Sequence, residues 1–223
     1  MSTTTDQAAG AITAGVPLSE AQQYELLFWK ERWPYRGWAV PQLQDLRHAD
    51  GVWLLKNVGL QQRDEFSFDG FEGRVLEVGC GPIGFFELMR GVEVTAIDTL
   101  MAAYASEIPY SLLGTRGATT YTSRRLEEEP GTYKFVVCGN VLDYSDDWME
   151  FLEAAVARVE PGGELILSTD TRTRPSVGHP QVFTAAQLKR ALKWLGMREL
   201  RCFRADPPSN ELCEHLVFVR GTP

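Results

Sequence analysis

Two carboxylates frame a glycine-rich turn near the middle of the chain. Glu77 comes just before the turn G-C-G-P-I-G of residues 79–84, and Asp98 follows fourteen residues after the last of these glycines. Glycines allow a backbone to bend sharply and a ligand to approach it closely. A carboxylate at the end of the next parallel strand can accept hydrogen bonds from the two hydroxyls of a ribose. The residue types and their spacing therefore predict a nucleoside site.

Two buried strands and a short helix must position these residues. Residues 74–78 and 92–97 are apolar and rich in β-formers, which predicts two parallel strands, and residues 85–90 have a short helical pattern. The first N–H groups of this helix would face whatever lies above the end of the first strand. Asp98, at the tip of the second strand, would then lie beside the glycine turn.

The acid, the turn and Asp98 closely resemble the cofactor motifs of the class I S-adenosylmethionine-dependent methyltransferases. A bare G-x-G-x-x-G also suits a dinucleotide, but dinucleotide enzymes usually lack an acid just before the glycines. The sulfonium cofactor has an ammonium group and no pyrophosphate, so an acidic strand and turn carbonyls suit it. The resemblance implies S-adenosyl-L-methionine as the cofactor. A Rossmann-like domain with another ligand, or with none, is the alternative.

Two later segments extend the resemblance to about residues 73–220. Residues 134–140 predict a buried strand, and the sequence N-V-L-D-Y at its tip resembles the fourth motif of a small-molecule group of these enzymes. A P-G-G turn then leads into a strand at 164–169. The resemblance implies an α/β fold, a Rossmann-like doubly wound sheet of seven mostly parallel strands with an antiparallel last strand, plus an N-terminal helical extension.

The same resemblance assigns a cofactor site to the glycine turn and to neighbouring strand tips. Residues 119–123 predict a third strand, and we expect Leu100, Arg125 and Leu126 to flank the adenine. Asn140 would approach the methionine moiety. The arginine-rich link at 124–132 lacks the acid that many relatives place at the adenine edge. The cofactor residues are Glu77, Gly79, Cys80, Gly81, Pro82, Asp98, Thr99, Leu100, Arg125, Leu126 and Asn140.

Three residues are candidates for catalysis. Methyl transfer mainly needs the acceptor aligned and water excluded, and a base matters when the acceptor is a hydroxyl. His179 lies in a long polar loop after a central strand, Asp143 could orient it or act instead, and Tyr144 would lie next to the acceptor. Alternatively, the His-Pro pair only fixes the loop. No metal is expected, because Asp143 and Asp170 lack further oxygen ligands.

Arginines and aromatic residues are candidates for the acceptor site. Arg172 and Arg174 could hold a phosphate or carboxylate by bidentate pairing, or could be ordinary solvated charges. The aromatic segment before the first strand could form a lid over the substrate, or a helical layer packed on the sheet. Its candidate residues are Trp29, Trp33, Tyr35 and Trp38.

Composition limits the class of protein. The 223 residues suit one α/β domain, and the net charge of −8 opposes general attraction to nucleic acid or anionic membranes. Four cysteines without C-x-x-C spacing predict reduced thiols and a cytoplasmic protein. No run approaches the roughly 20 apolar residues of a membrane span. We expect a flexible tail at 1–17, a helical cap or lid at 18–70 and the cofactor-binding domain at 71–223.

Together these features predict a methyltransferase that uses S-adenosyl-L-methionine and modifies an oxygen or nitrogen of a small, sugar-like or natural-product acceptor. Two alternatives remain. One is a catalytically silent cofactor-binding partner subunit, and the other is a methyltransferase that acts on RNA or protein. The predicted partner is a small-molecule acceptor, without nucleic acid or membrane, and a homodimer is possible.

Overall fold

The computed structural model describes six stretches of the chain: residues 18–32, 40–65, 67–115, 118–172, 174–205 and 213–221. Three of the predicted acceptor-site aromatics, Trp33, Tyr35 and Trp38, lie outside these stretches. The predicted tail at 1–17 also lies outside them. The backbone of Arg172 is described and its side chain is not.

The N-terminal part contains two helices and a β-hairpin. Helix α1 spans Glu20–Leu27 and continues into a π-helical turn, Phe28–Arg32, and helix α2 spans Val40–Asn57. A capping box begins α1, since the side chains of Ser19 and Gln22 each accept from the other's backbone N–H. Strands β1 (Gln61–Asp64) and β2 (Ser67–Asp69) form an antiparallel hairpin that the sequence patterns did not reveal.

Helix α2 contains a glycine, Gly51, at which a helix could be expected to end. Glycine is a poor helix former. The helix instead runs through Gly51, which is buried. A Cβ at this position would lie 2.6 Å from Cδ1 of Leu88 and 2.9 Å from the Phe85 ring. Gly51 therefore allows the helix to pack closely on the segment that follows the glycine turn.

Seven strands form the main sheet, in the order β5-β4-β3-β6-β7-β9-β8. Strands β3 to β7 are parallel, and β9 pairs antiparallel with both β7 and β8, so the predicted fold class is confirmed. The bounds are β3 (Arg74–Val78), β4 (Glu93–Ile97), β5 (Thr119–Thr122), β6 (Tyr133–Gly139), β7 (Val159–Arg172), β8 (Arg198–Ala205) and β9 (Cys213–Gly221).

Helices cover both faces of this sheet. On one face, Leu76 and Val136 pack with helices α4 (Trp148–Ala157) and α5 (Ala185–Trp194). On the other, Val75 and Val137 pack with α2 and the segment after the glycine turn. Helix α3 (Met101–Glu107) follows β4. Because β3 pairs with β4 on one side and β6 on the other, the strand order reverses here, where open α/β sheets bind ligands.

Asp147 is the N-cap of α4. Ser145 and Asp146, just before it, are also residue types typical of N-caps, but it is the side chain of Asp147 that accepts from the N–H groups of Met149 and Glu150, at 2.7 and 3.1 Å. Asp146 points instead toward Arg125 and its side chain is 74% exposed. A cap must have extended backbone conformation and reach back to the second or third helical N–H, and Asp147 does both.

This assignment gives a stability prediction. Asp147→Ala should lower the free energy of unfolding by about 1 kcal/mol, because two N–H groups at the start of α4 lose their acceptor. Asp146→Ala, one residue away, is the matched control and should leave stability nearly unchanged, because its ion pair is exposed. Urea unfolding of both variants measures the difference. A larger loss for Asp146→Ala would contradict the assignment.

Candidate cofactor and acceptor site

The predicted carboxylate lies beside the glycine turn. Gly79 and Gly81 have positive φ angles of 65° and 62°, which glycine adopts without strain. The N–H of Gly81 donates to Oδ2 of Asp98 at 3.0 Å, and the N–H of Leu100 donates to Oδ1 at 2.8 Å. Each carboxylate oxygen has a further lone pair, so the group can also accept from two hydroxyls of a ligand.

Burial raises the pKa of Asp98 above its ordinary value of 3.8, although the N–H groups of Leu100 and Gly81 oppose this shift. A carboxyl with a raised pKa in the folded state stabilises the fold below its ordinary pKa. That contribution is lost as pH rises through the raised value. The ionised carboxylate is therefore held at some cost in the empty site, and hydroxyl donors from a ligand would offset this cost.

A pH dependence of nucleoside binding follows. We expect the affinity for adenosine to fall as pH decreases from about 8 to about 4, because protonation removes the strong acceptor. The loss should begin at a higher pH than an ordinary aspartate would give. Calorimetric titration at several pH values measures it, and Asp98→Asn, which cannot ionise, should abolish the dependence. A wild-type affinity that is constant over this range would contradict the prediction.

Glu77 has a different position from the one we expected. It is buried, and its two carboxylate oxygens accept from the N–H groups of Phe85 and Phe86 at 2.6 and 2.7 Å. These residues begin a 3₁₀ helix, Phe85–Leu88. The prediction that the first helical N–H groups face the ligand is therefore wrong. The Glu77 carboxylate accepts hydrogen bonds from both groups and so caps the 3₁₀ helix from within the protein. These bonds connect the end of β3 to the segment beyond the turn.

A cavity of about 650 Å³ opens above the ends of β3, β4 and β6. This volume is typical of small-molecule sites. Apolar side chains and polar groups both face it, and its wall includes α1, the glycine turn, the tips of the three strands and the start of α4. Of the predicted residues, the cavity is lined by Trp29, Gly79, Gly81, Asp98, Thr99, Leu100, Arg125, Leu126, Asn140 and Tyr144.

The other described candidates lie away from this wall. Cys80 and Pro82 belong to the glycine turn but are buried and are not among the residues that line the cavity. Arg174 is exposed and outside the cavity, so its predicted contact with an anionic acceptor lacks support. Asp143 and His179 lie behind Tyr144.

The charges of the wall are mainly negative. Both of its guanidinium groups are engaged, since Arg124 pairs with Glu129 and Arg125 pairs with Glu127 and Asp146. No lysine is among the described residues that line the cavity. Seven carboxylates of the described chain line it: Glu25, Asp50, Asp98, Glu127, Asp146, Asp147 and Glu150. The wall therefore favours a neutral or cationic ligand over an anionic one.

Asn140, at the tip of β6, has an unusual backbone. Its φ angle is +56°, a conformation that asparagine tolerates better than most residues. Its N–H donates to the carbonyl of Ser168 at 2.7 Å. The side-chain oxygen is buried and, among the described residues, has no hydrogen-bond partner. An unused acceptor beside the cavity fits a ligand with an N–H donor.

Helix α1 and the turn that follows it form one side of the cavity. Gln22 donates to the hydroxyl of Thr99 at 3.1 Å, and the Trp29 indole donates to Glu25 at 2.6 Å. The hydroxyl of Tyr110 donates to the carbonyl of Trp29. The Trp29 ring lies over the turn, with its nearest atom 3.5 Å from where a Cβ of Gly81 would be. Trp29 thus covers the cofactor side of the cavity.

The catalytic candidates lie next to one another. Nδ1 of His179 is 2.7 Å from Oδ2 of Asp143, and Nε2 of His179 is 3.5 Å from the hydroxyl of Tyr144. Asp143 is fully buried, and the His179 side chain is 14% exposed. The contact with Asp143 suits both a catalytic histidine and the alternative in which the His-Pro pair only fixes its loop.

Several residues on the wall were not foreseen from the sequence. Glu127 and Asp146 lie at the predicted adenine end, where we noted a missing acid. Glu25 and Gln22 come from α1, whose pattern suggested only a lid. Phe151 is apolar and at helical spacing, so a core role explained it equally well. No local signal separates these residues from ordinary surface or core positions.

The fold and site define a Rossmann-like methyltransferase domain of class I. The chain matches the family described as "Methyltransferase domain" over residues 55–202 and belongs to that family. Similar proteins include a ubiquinone biosynthesis O-methyltransferase of Xanthomonas campestris pv. campestris (strain B100). It is 34% identical over 106 residues, which cover 45% of this chain and 44% of that protein. The match thus spans less than half of that relative's length.

Two further comparisons cover more of the chain. The ubiquinone biosynthesis O-methyltransferase of Pseudomonas aeruginosa (strain LESB58) is 29% identical over 165 residues, 71% of this chain and 66% of that protein. The crystal structure of N-methyltransferase NodS from Bradyrhizobium japonicum WM9, in complex with S-adenosyl-L-homocysteine, has a TM-score of 0.62 at 18% identity. It covers 92% of this chain and 100% of that one. At this identity the likeness shows the fold.

Two features are absent from the described part of the chain. Within its six stretches, no helix has the length and apolar character needed to cross a membrane. Among the same residues, no group of three or more histidine, cysteine, aspartate or glutamate side chains is arranged to hold a metal ion. The described cysteines Cys80, Cys138 and Cys202 are in the thiol form.

Proposed function

We propose that this protein is a methyltransferase that uses S-adenosyl-L-methionine to modify an oxygen or nitrogen of a small molecule. The observation that carries the proposal is the position of Asp98. Its carboxylate borders the cavity, is fixed by two backbone N–H groups and has lone pairs left for a ribose. Family membership supports the same activity.

The residues around the cavity fit this cofactor better than a dinucleotide. A pyrophosphate would need helix N–H groups and free cations. Here Glu77 occupies the N–H groups of Phe85 and Phe86, and the two arginines of the wall are paired with carboxylates. An ammonium and a sulfonium suit an acidic wall, and the unused acceptor of Asn140 suits the ammonium.

Separate parts of the wall would hold separate parts of the cofactor. Asp98 would accept from the ribose, and Leu100 and Leu126 supply apolar faces for the adenine. Gly79 and Gly81 allow close approach of the amino-acid portion. When bound, the cofactor supplies an electrophilic methyl group. The chain's own part is to bind, to align the acceptor and, through α1, to exclude water.

The acceptor is proposed to be small and not strongly anionic. The cavity has a mainly acidic wall that includes α1, and Arg174 lies outside it. The relatives named as O-methyltransferases support an oxygen acceptor, and the named N-methyltransferase structure leaves nitrogen open. A sugar-like or natural-product acceptor is compatible with a cavity of this size.

Location and partners are part of the same proposal. The thiol form of the described cysteines supports a cytoplasmic protein, and the charge of −8 opposes binding to nucleic acid or anionic membranes. A homodimer and the division into a cap at 18–70 and a domain at 71–223 stay predictions.

Calorimetric titration with S-adenosyl-L-homocysteine and with NAD⁺ tests the cofactor. We expect micromolar binding of the first and much weaker binding of the second. Mass spectrometry of a metabolite extract, incubated with the protein and methyl-labelled cofactor, then tests transfer. Tighter binding of NAD⁺ would refute the proposal, and binding without transfer to any acceptor would favour a silent partner subunit.

A further inference from the structure

Tyr144 connects a buried acid–imidazole pair to the cavity. Of the three residues Asp143, Tyr144 and His179, Tyr144 is the one that lines the cavity. Its ring packs against that of His179 with centroids 4.4 Å apart, and its hydroxyl faces Nε2 of His179. Tyr144 is therefore the member of this group that contacts both the cavity and the imidazole.

The pairing with Asp143 determines which ring nitrogen can accept a proton. A carboxylate only accepts hydrogen bonds, so Oδ2 of Asp143, at 2.7 Å, keeps the proton of the neutral imidazole on Nδ1. The lone pair of Nε2 is then directed to the Tyr144 hydroxyl. The distance of 3.5 Å is long for a hydrogen bond, but hydrogen bonds between catalytic groups often shorten only when the substrate is bound.

The loop that carries His179 is fastened to the segment that carries Asp143. Ser176 and His179 exchange two backbone hydrogen bonds, at 3.0 and 3.1 Å. The backbone N–H of Gln181 donates to the carbonyl of Asp143 at 3.3 Å, and its side-chain amide donates to the carbonyl of Asp146 at 2.7 Å. These contacts hold the imidazole in place without help from a ligand, as a preorganised site requires.

We propose that Tyr144, His179 and Asp143 form a proton relay for a hydroxyl acceptor, so that the atom methylated is an oxygen. This inference rests on the proposed methyltransferase function and deepens it. An amine that is already deprotonated needs no such relay, whereas a hydroxyl must lose its proton as the new bond forms. The relay therefore predicts that the acceptor is an alcohol or a phenol.

Methyl transfer through the relay would move two protons, and one bond would form as another breaks. The acceptor's hydroxyl proton passes to the Tyr144 oxygen while the proton of Tyr144 passes to Nε2 of His179. Asp143 stabilises the resulting imidazolium through Nδ1–H and acts as a positioning residue. The acceptor oxygen forms its bond to the methyl carbon as the carbon–sulfur bond breaks, with the electron pair left on sulfur. The imidazolium later releases its proton to water.

The relay requires that the neutral imidazole of His179 carries its proton on Nδ1. Nitrogen NMR of the protein without any ligand tests this requirement. The chain has three histidines, so ¹⁵N-labelled imidazoles can be assigned with the His179→Gln variant. At mildly alkaline pH we expect His179 to carry its proton on Nδ1, and Asp143→Asn to shift the proton toward Nε2. A wild-type imidazole protonated on Nε2 would overturn the relay, and this readout decides the matter even where the Asn variant does not fold.

The relay also requires that Tyr144 and His179 assist removal of the acceptor's proton. Two phenols of different acidity test this requirement. With phenol, Tyr144→Phe and His179→Gln should each lower kcat/KM about 100-fold, because proton removal limits the reaction. With 4-nitrophenol, which ionises readily without help, the loss should be less than about tenfold. Equal losses with both phenols would indicate a structural role and overturn the relay. His48→Gln, in α2 and off the cavity wall, is the matched control and should react as wild type.

Cofactor binding distinguishes a failure of the relay from a failure of the proposed methyltransferase function. Both relay variants should bind S-adenosyl-L-homocysteine as the wild type does, because neither residue is assigned to the cofactor. A wild-type protein that fails to bind it would refute the proposed function itself. Normal binding together with an Nε2–H tautomer of His179 would refute the relay alone.

Discussion

Asp98→Ala is expected to weaken binding of S-adenosyl-L-homocysteine by at least about 100-fold. Each ribose hydroxyl would lose a charged acceptor, and a hydrogen bond to a charged group contributes about 1.5–3 kcal/mol. The N–H groups of Gly81 and Leu100 would also lose their partner, so the turn would no longer be held against the tip of β4. Calorimetric titration measures the change directly.

Two further variants make this result specific. Asp98→Asn keeps one oxygen acceptor and should give an intermediate affinity. Asp69→Ala makes the same substitution in β2, where Asp69 pairs with Arg63 at the surface. This control variant should bind S-adenosyl-L-homocysteine as the wild type does. Urea unfolding of each variant separates lost affinity from lost folding. If Asp98→Ala retained wild-type affinity in a folded protein, the ribose assignment would be wrong.

Glu77→Ala should be the most destabilising single change at the site, with a loss of about 3–5 kcal/mol in the free energy of unfolding. Truncation leaves the N–H groups of Phe85 and Phe86 buried without their acceptor, each at a cost of about 1–3 kcal/mol, and opens a small cavity. This is a large part of the stability of an ordinary domain. Urea unfolding, or the yield of folded protein, provides the measurement.

Glu77→Gln keeps the shape and one acceptor, and it tests the role if the alanine variant fails to fold. We expect it to lose stability but to bind S-adenosyl-L-homocysteine within about tenfold of wild type, because Glu77 is not on the cavity wall. Glu93→Ala, at the exposed start of β4, is the control and should be neutral. A Gln variant with full stability but no binding would instead indicate a direct cofactor contact.

Local patterns were sufficient to predict the central strands and the turn. Apolar runs, glycine turns and the acid after β4 predicted the first parallel strands and the position of Asp98 beside the turn, and the family resemblance implied the antiparallel last strand. The local predictions depend on spacing within one element or across one βα unit, where the backbone geometry leaves few alternatives. The roles of Gly51 and Asp147 depend instead on the groups that pack against them or donate to them.

The sequence by itself determined the class of fold, the family and the place of the nucleoside site, because glycine spacing and strand hydrophobicity are local properties. Only the tertiary structure decided that Glu77 caps the 3₁₀ helix, that carboxylates dominate the cavity wall and that Tyr144 stands between His179 and the cavity. The histidine and tyrosine are 35 residues apart. Their meeting depends on the path of a loop that side-chain contacts fix, and no periodicity along the chain encodes that path.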